Sequence, residues 1–572
     1  MAQSLTHDVL ILGAGLAGLR AAVELSHRTE GHIDIGIVSK VQLMRAHSVC
    51  AEGGTAAVLR EDEGDSIALH AWDSVKGSDF LADQDVVWRF CKAMPREIQL
   101  LDHWGIPWTR DAQGRISQRP FGGHSYPRAT LAADKTGFFE MQTLYDQLLR
   151  FKCFKRYDEL FVTDIIVEDG RFVALVGIHA PSGETVILQG KALLIASGGG
   201  GTLYGFTTYS ETVTGDGMAM AYRAGLPLED MEFLQFHPTG LVPSGILMTE
   251  GCRGEGGYLK NNMGERFMER YAASKMELAP RDMVSRAEMT EILEGRGFPG
   301  SDGKDYLHLD LTHLGAEVIN TRLPLIREVC IKFVGIDPIE EPIPIRPVAH
   351  YSMGGIETDI NGLTRVKNVW AAGEAACVSL HGANRLGSNS TAECLVWGGI
   401  TGGEIARALP SLPKPSRLSE KSWLAQQARL KAITSRQGRE DLYALRRELR
   451  TLMDDCVGVF RKGEDLAKAV AAIRALRGRA AHAPIADKSA TYNSNLFHAL
   501  ELDNLLDLAE VTVMGALARE ESRGAHARRD FAVRDDEKWL RHTLAWHTPG
   551  GQPRLDYKPV TIDTWKPVER KY

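Results

Sequence analysis

The sequence lacks the closely spaced cysteines that bind a metal ion or an iron–sulfur cluster within one chain. Its eight cysteines are spread from Cys50 to Cys456, and the closest two, Cys377 and Cys394, are 17 residues apart. Zinc and iron–sulfur sites usually include cysteines separated by only about two to four residues. Metal centres are therefore not expected in this chain, and its cysteines are expected to be reduced thiols.

The sequence also lacks a long apolar run and an excess of positive charge. Because it contains no stretch of about 18 apolar residues, a membrane-spanning helix is not expected. The opening residues include neither a basic leader nor a twin-arginine pair. Lys and Arg number 67 against 74 Asp and Glu, and the net charge of -7 argues against nucleic-acid binding. Association with a membrane is expected to come through partner proteins.

Glycine, by contrast, is abundant, and one cluster has the spacing of a dinucleotide-binding turn. Residues 7–12 form an apolar run that predicts a buried strand, and the motif Gly13-Ala14-Gly15-Leu16-Ala17-Gly18 follows it directly. A helix to about Ser26 and a second strand over residues 33–38 are predicted next, which is the start of a parallel sheet. Gly13, Gly15 and Gly18 permit a tight turn and the close approach of a pyrophosphate to the helix N-terminus.

The residues after the second strand favour FAD over NAD. NAD sites usually have an acidic residue at this point, but Val38-Ser39-Lys40 is found here. Further glycine-rich turns follow later predicted strands, at residues 197–201 (SGGGG), 214–218 (TGDGM) and 372–374 (AGE). Several such turns fit one extended FAD molecule, although separate structural turns are the alternative.

Seven longer motifs resemble one family. They are residues 39–54 (SKVQLMRAHSVCAEGG), 236–240 (FHPTG), 247–257 (LMTEGCRGEGG), 280–282 (PRD), 350–355 (HYSMGG), 381–390 (HGANRLGSNS) and 519–526 (REESRGAH). In this order and over nearly the whole chain, they resemble the flavoprotein subunit of succinate dehydrogenases and quinol:fumarate reductases. The resemblance implies an enzyme that interconverts succinate and fumarate by hydride transfer at FAD.

The resemblance implies an α/β fold in which a Rossmann-like FAD-binding domain is interrupted by an inserted α+β capping domain. After residue 240 the predicted pattern changes to helices and loops, and a proline-rich run follows at 341–347. Both features agree with an insertion. The expected domains are 1–240 plus 347–410 for FAD, 241–346 for the cap, 417–530 for a helical domain and 531–572 for a tail. The last thirty residues are expected to be irregular.

The matching histidine in the family, His47 here, carries the flavin covalently through its 8α-methyl group. Ala46 departs from the serine that the family often has before this histidine, which puts one hydroxyl contact to the cofactor in doubt. The resemblance implies these cofactor-binding residues: Gly13, Ala14, Gly15, Gly18, Ser39, Lys40, His47, Ser48, Glu52, Gly53, Gly54, Gly198, Asp216, Tyr351, Glu374, Arg385, Ser388, Asn389 and Ser390.

A C4 dicarboxylate needs cationic or hydrogen-bonding groups at both ends, and arginine offers a bidentate fork for a carboxylate. By resemblance, Arg385 and His350 hold one carboxylate, while His237 and Thr249 hold the other. Clamping both ends can polarise the central C–C bond for hydride transfer.

The proton for the second carbon is expected from Arg281, with Glu250 and Arg253 as a relay towards solvent. This assignment comes from the family, because an arginine normally has a pKa above about 12. His237 is the ordinary acid by titration chemistry and stays open as the alternative. Arg281 and Arg253 as a salt-bridged surface pair is a second alternative.

Two further features have open interpretations. Cys252 lies between Glu250 and Arg253, and a thiol beside a guanidinium can be reactive, which makes alkylation without a catalytic role conceivable. The arginine-rich segment 519–529 is interpreted as a helix-end and interface network rather than a polyanion site, because the surrounding charges are mixed.

Because cluster ligands are lacking, the resemblance implies an iron–sulfur subunit that takes the electrons and membrane anchor subunits that bind quinone. The chain is then expected at the cytoplasmic face of the cell membrane, attached through those partners. The competing interpretations are an L-aspartate oxidase-like enzyme, in which FAD is not covalently bound, and a non-catalytic flavin-binding assembly subunit. Against the second stands the intact set of site residues, which is His237, Glu250, Arg253, Arg281, His350 and Arg385.

Overall fold

The structure is a computed structural model that describes residues 3–572. Its strands are β1 (Gln3–Leu12), β2 (Ile35–Val38), β3 (Thr55–Ala56), β4 (Gln118–Arg119), β5 (Ala129–Thr130), β6 (Phe154–Tyr157), β7 (Leu160–Glu168), β8 (Arg171–His179), β9 (Thr185–Ile195), β10 (Leu228–Glu229), β11 (Leu234–Leu241), β12 (Tyr258–Lys260), β13 (Leu307–Asp310), β14 (Ile343–Ser352), β15 (Gly355–Glu357), β16 (Val369–Ala371), β17 (Ala376–Cys377), β18 (Phe460–Arg461), β19 (Ala527–Arg528), β20 (Arg541–Trp546) and β21 (Arg554–Pro559). The longer ones belong to the central sheet and to the region inserted into it.

The helices are α1 (Leu16–Arg28), α2 (Ile67–Gly77), α3 (Gln84–His103), α4 (Thr136–Leu148), α5 (Asp216–Arg223), α6 (Gly251–Gly254), α7 (Arg281–Leu293), α8 (Gly315–Arg322), α9 (Pro324–Val334), α10 (Asn389–Ala408), α11 (Glu420–Thr434), α12 (Leu442–Cys456), α13 (Gly463–Ala480) and α14 (Ser494–Ala518). Within the described range, none of them combines the length and the apolar character needed to cross a bilayer.

The predicted strand–turn–helix unit lies at the centre of the main sheet. Strand order is β6–β2–β1–β9–β8–β7, and β16 also pairs with β9. β1 runs parallel to both of its neighbours, with Val9 opposite Ile35 on one side and Ala192 on the other. Because alternate residues of a strand point to opposite faces, Leu10 and Val9 enter different apolar cores. A sheet covered on both faces needs this near-continuous apolar run.

The region after β11 has a second sheet and a core of its own. Its antiparallel strands follow the order β11–β14–β13–β12. An apolar cluster extends from Leu241 to Ile345, and α7 packs on β11 and β14 beside it. A separate core is typical of an independent unit. The division of the chain at 240 and 347 stays a proposal that agrees with this core.

The last thirty residues are irregular only in part: two strands lie before residue 560, and residues 560–572 contain no helix or strand. β20 and β21 form an antiparallel hairpin, and β20 pairs with β10, which places Ala545 opposite Leu228. An isolated hairpin is marginally stable in water, so its partner strand decides whether it forms. That partner lies more than three hundred residues earlier in the sequence, which is why local patterning did not reveal the hairpin.

A buried charge cluster joins this hairpin to the rest of the molecule. His542 Nδ1 lies 2.6 Å from an Asp230 oxygen, and the Lys558 ammonium lies 2.7 Å from Glu229. Burial lowers the pKa of His542, but Asp230 and Glu229 outweigh it and raise that pKa to about 10. Glu229 and Asp230 are close enough to Cys377 to resemble a metal site, but Lys558 and the protonated His542 already balance their charge.

The C-terminal helices share a core with the main sheet. Leu449, Ile473 and Leu505 of α12, α13 and α14 belong to the same apolar cluster as Leu10 and Leu193 of the sheet. The region 417–530, predicted as a helical domain, contains the helices α11 to α14. These helices pack directly on the main sheet. The boundaries of this domain, and those of the tail, remain proposals.

Candidate active site

The glycine-rich turn after β1 is held by close backbone packing. Gly13 has φ +115°, and a Cβ atom there would lie 2.1 Å from the carbonyl oxygen of Ala196 at the end of β9. A Cβ on Gly18 would lie 2.1 Å from the Gly13 carbonyl oxygen, so any larger residue would push α1 off the turn. The first helical amide, at Leu16, donates to the Ser48 hydroxyl at 3.2 Å. This hydrogen bond joins the helix N-terminus to the segment that carries His47.

A cleft of about 640 Å³ opens at this turn. It is lined by residues from every glycine-rich turn that the sequence singles out. The predicted cofactor residues on its wall are Gly13, Ala14, Gly15, Ser39, Lys40, His47, Ser48, Glu52, Gly198, Asp216, Tyr351, Glu374 and Ser390. A volume in this range suits a large organic ligand.

The remaining predicted cofactor residues do not line the cleft. These are Gly18, Gly53, Gly54, Arg385, Ser388 and Asn389. The Asn389 amide donates to the Ser74 hydroxyl at 3.2 Å and its oxygen lies 3.3 Å from a nitrogen of His70, so this side chain is engaged within the core. Ser388 directly precedes α10, and its carbonyl oxygen accepts a hydrogen bond from the Ala56 amide.

His47 begins a short 3₁₀ turn, His47–Cys50, on the wall of the cleft. Its ring stacks on Tyr209 with 5.1 Å between centroids, and the Tyr209 hydroxyl donates to Glu374. Burial lowers the pKa of His47 to about 4, so the imidazole is neutral near pH 7. Its Nδ1 has no hydrogen-bond partner within residues 3–572.

Lys40 and Asp216 face the cleft but satisfy each other. The Lys40 ammonium donates to Asp216 at 2.8 Å and to Thr214 at 2.7 Å, and it lies 2.5 Å from Glu501. The Asn504 amide donates to the other Asp216 oxygen at 2.7 Å. Through these contacts the two residues attach a glycine-rich turn to α14 and shape the cleft wall.

Arg281 and Glu250 form the centre of a second, buried site. Arg281, the first residue of α7, donates through Nε to Glu250 at 2.7 Å and through Nη1 to Gln235 at 3.0 Å. Arg253 on α6 approaches the same Glu250 oxygen to 3.8 Å. The Gly122 amide donates to the second oxygen at 2.5 Å. One carboxylate therefore contacts two guanidinium groups.

His237 and His350 connect this site to the cleft. Their rings lie 4.9 Å apart at 63°, and His350 lines the cleft. The Thr239 amide donates to His237 Nδ1 at 3.2 Å, and His350 Nδ1 lies 2.9 Å from the Thr208 hydroxyl. His237 Nε2 is buried and has no partner in the described part of the chain. A polar ligand atom can meet that nitrogen.

Arg385 and Thr249 complete the set of predicted substrate residues, and both are buried. The Arg385 guanidinium carbon lies 4.6 Å above the ring of Tyr351, whose hydroxyl donates to Glu393 at 2.8 Å. The Thr249 hydroxyl accepts from the Gly251 amide at 3.3 Å. The active-site cluster consists of Arg253, Arg281, Arg385 and Glu250.

The electrostatics of the active-site cluster are unusual for arginine. Burial lowers the pKa of Arg281 to about 9, with Arg385 adding to the effect and Glu250 opposing it. Burial raises the pKa of Glu250, but Arg281 and Arg253 outweigh it and hold that pKa at about 2. Burial and the nearby Arg281 keep the pKa of His237 well below its ordinary value. The imidazole is thus neutral, while burial lowers the pKa of Arg281 and also that of Arg385.

Comparison with known proteins agrees with this geometry. The FAD binding domain family matches residues 8–391, and the fumarate reductase flavoprotein C-terminal family matches residues 446–572. The fumarate reductase flavoprotein subunit of Mycobacterium tuberculosis H37Rv is 46% identical over 99% of both chains. The succinate dehydrogenase flavoprotein subunit of Rickettsia bellii is 43% identical and covers 97% of this chain and 96% of its own.

The chain belongs to the fumarate reductase and succinate dehydrogenase flavoprotein family. The solved structure of an E. coli quinol fumarate reductase variant matches it with a TM-score of 0.95 at 42% identity over 99% of both chains. Mycobacterium smegmatis Sdh1, solved in complex with UQ1, matches with a TM-score of 0.85 at 34% identity over 99% of this chain and 96% of that one. The predicted fold class and family are confirmed.

The cleft of this flavoprotein fits FAD. The Gly13 and Gly18 packing leaves the N-terminus of α1 open to a pyrophosphate. The Nδ1 atom of His47 is buried in the cleft wall and has no hydrogen-bond partner among the described residues. No charged group contributes to the pKa shift of this histidine. The cleft also reaches from this turn to His350 and Tyr351, and so spans the distance between nucleotide and substrate regions.

Two interpretations from the sequence are wrong for this flavoprotein. Arg281 and Arg253 are not a surface pair, because only 5% and 2% of each residue is exposed. Cys252 is fully buried, and burial together with nearby Cys330 and Glu52 raises its pKa well above the ordinary value. A protonated, inaccessible thiol is not a site for alkylation. The segment 519–529, by contrast, is the helix-end network expected: Arg528 donates to carbonyls at the end of α14.

Sequence reasoning missed three residues that build the flavoprotein's site. Gln235 accepts from Arg281 and donates to the Arg385 carbonyl at 2.8 Å, and so joins two substrate residues. Tyr209 packs on His47, and Thr208 contacts His350. A signal existed for Gln235, because it directly precedes the 236–240 motif. Tyr209 and Thr208 lie in a loop without a comparable pattern.

Proposed function

We propose that this flavoprotein subunit interconverts fumarate and succinate within a quinone-linked membrane complex. The observation that carries the proposal is the charge of the active-site cluster. Among the described residues, Glu250 is the one carboxylate that contacts the guanidiniums of Arg281 and Arg253, and Arg385 lies near enough to affect the pKa of Arg281. Three buried cations around one anion leave positive charge, which suits a dicarboxylate ligand.

The substrate clamp that we propose uses both histidines as neutral hydrogen-bonding groups. His350 and Arg385 hold the carboxylate nearer the cleft, and His237 and Thr249 hold the other. The unpartnered Nε2 of His237 and Nε of Arg385 are the free polar atoms that support this assignment. Fixing both ends holds the central carbons in one orientation and excludes water between them.

Arg281 is the proposed proton donor to fumarate. FAD, when bound, supplies the hydride for one carbon of fumarate and accepts it from succinate in reverse. The proton on the Arg281 guanidinium goes to the other carbon, and Glu250 and Arg253 return a proton to Arg281 from the solvent side. A pKa of about 9 for Arg281 and of about 2 for Glu250 supports this order, because the lowered pKa makes the guanidinium a stronger acid while its neighbour stays anionic.

The flavin is proposed to be bound covalently to His47. A neutral, buried imidazole has a free nitrogen lone pair for bond formation, and Tyr209 restricts the ring by stacking. In denaturing electrophoresis, flavin fluorescence should remain on this polypeptide. A His47→Ser variant should bind FAD when folded and release it on denaturation. Complete release of wild-type flavin in acid would refute covalent attachment.

The partners proposed are an iron–sulfur subunit and membrane anchor subunits that bind quinone. The spacing of the cysteines, all of which are free thiols in the structure, supports cluster binding in another chain. We place the subunit at the cytoplasmic face of the membrane, attached through these partners.

The activity is tested with the purified complex. With a reduced dye as electron donor it should reduce fumarate, and with an oxidised dye it should oxidise succinate. Malonate should compete in both directions, because it presents two carboxylates to the same clamp. L-Aspartate should be a poor substrate. Rapid aspartate oxidation with release of hydrogen peroxide would instead identify an aspartate oxidase.

A further inference from the structure

The segment 561–572 packs against the FAD-binding region. The Thr561 amide donates to Asp83 at 2.6 Å. The side chain of Gln84 accepts from the Trp565 amide at 2.9 Å and donates to the Trp565 carbonyl at 2.6 Å. The Trp565 ring stacks on Trp88 with 5.4 Å between centroids. These contacts fix the direction of the segment along the start of α3.

Arg570, near the end of this segment, joins two parts of the molecule. Its guanidinium donates to Asp282 at 2.8 and 3.1 Å, and it lies 3.3 Å from Asp79, which follows α2. The Arg570 side chain is 8% exposed and that of Asp282 is fully buried. Burial of the cation is thus balanced by one carboxylate from α7 and one from the FAD-binding region.

Asp282 is the residue next to Arg281 in the first turn of α7. Within the described chain it contacts one other cation, Arg286, which is on the same helix and donates to it at 3.0 Å. A bond within one helix cannot hold that helix against another element. Arg570 therefore provides the ionic contact that joins the start of α7 to the region containing the cleft.

The position of the α7 N-terminus matters because Arg281 is the first residue of this helix. Its side chain must keep the 2.7 Å contact to Glu250 and also face the substrate. A misplacement of about 1 Å at a reacting group can lower a rate about 100-fold.

We propose that Arg570 is a positioning residue for this reaction, which through Asp282 holds the start of α7 and the Arg281 guanidinium against Glu250. The inference rests on the proposed role of Arg281 as proton donor. It adds a residue that lies far from the site in sequence and does not touch the substrate.

The test compares Arg570→Gln, Arg570→Lys and Arg281→Lys in the intact complex. Arg570→Gln should lower kcat for fumarate reduction about 10- to 100-fold, because the acid is misplaced, and leave KM within about threefold. The solvent deuterium isotope effect on kcat should increase, since proton transfer becomes slower. Arg570→Lys keeps the charge and should recover most of kcat. The adjacent, exposed Lys571, which pairs with Glu569, offers Lys571→Gln as the matched control with unchanged kcat.

A double variant separates positioning from general destabilisation. If Arg570 acts through Arg281, adding Arg570→Gln to Arg281→Lys should lower kcat by less than about twofold, because coupled residues are not additive. A wild-type kcat and isotope effect in Arg570→Gln would overturn the proposal while leaving Arg281 as the acid. Should Arg570→Gln not fold, Asp282→Asn breaks the same ionic contact: a lowered kcat with an increased isotope effect would support the proposal, and wild-type values would overturn it. A near-normal kcat in Arg281→Lys would refute the proton donor and the positioning role together.

Discussion

Two clusters of buried arginines in this flavoprotein have opposite electrostatics. One is the active-site cluster, and the other, the tail cluster, consists of Arg519, Arg523, Glu232 and Glu521. Burial lowers the pKa of Arg519, but Glu232 and Asp230 outweigh it and raise that pKa above the ordinary value. In Arg281 the effect of burial prevails and the pKa falls to about 9.

The two clusters differ in the number of carboxylates around each arginine and in the number of guanidinium N–H groups without a hydrogen-bond partner. Every guanidinium nitrogen of Arg519 has a partner, among them Glu232 at 2.8 Å and Glu521 at 3.0 Å. In the active-site cluster, Nε and Nη2 of Arg253 and Nε of Arg385 have no hydrogen-bond partner among residues 3–572. A buried arginine with balanced charge needs no further partner, whereas one with surplus charge and free donors is arranged for an anionic ligand.

The largest effect is expected from Arg281→Lys. Lysine keeps a positive charge near Glu250 but changes the donor geometry and the pKa. We expect kcat to fall about 10²- to 10⁴-fold, the usual contribution of a general acid. Dicarboxylate binding, read from the flavin absorption spectrum, should weaken by less than about tenfold.

Arg385→Lys is the matched comparison in the same cluster. It removes a bidentate fork worth roughly 1.5–3 kcal/mol, so binding should weaken about 10- to 150-fold. Reduction of the flavin by dithionite should survive in both variants, which separates lost chemistry from lost cofactor. If Arg281→Lys retains turnover while His237→Ala abolishes it with binding intact, His237 is the acid.

In the tail cluster, Glu521→Gln should affect stability and not chemistry. It removes the shared carboxylate of Arg519 and Arg523 and leaves buried charge uncompensated, at a cost of about 3–5 kcal/mol. Chemical denaturation should report this loss, while kcat per folded molecule stays unchanged. Glu520→Gln is the control, because Glu520 is exposed and pairs with Lys538, a contact worth less than about 1 kcal/mol. A large loss of kcat in folded Glu521→Gln would contradict the contrast between the clusters.

The smallest effect concerns pH. The acid must be protonated to deliver its proton, so fumarate reduction should decline as pH rises through the pKa of Arg281, about 9. A group with this pKa is about tenfold less protonated at pH 10 than at pH 8, and kcat should fall in proportion. The decline should be absent from the remaining activity of Arg281→Lys. A decline that begins well below pH 6.5 would instead point to His237, because burial lowers the pKa of that imidazole.

Much of the fold was predictable because its signals are local. The run over residues 7–12 followed by Gly13, Gly15 and Gly18 predicts a strand, a turn and a helix, and the structure has β1 and α1 at these places. The hairpin β20–β21 was missed because its stability depends on β10, a strand that is distant in sequence. Gln235 was missed because its role depends on two arginines that come from other elements.

The family, the glycine-rich turns and the residue types needed for a dicarboxylate could be predicted from the sequence, since each lies in a contiguous motif. The protonation chemistry could not, because it depends on the folded arrangement. The pKa of Arg281 depends on burial and on Arg385, and the pKa of Glu250 depends on two guanidiniums from α6 and α7. Both depend on distances between elements that are far apart along the chain. The same holds for Arg570, because its partners Asp79 and Asp282 meet only when the segment 561–572 folds back across the molecule.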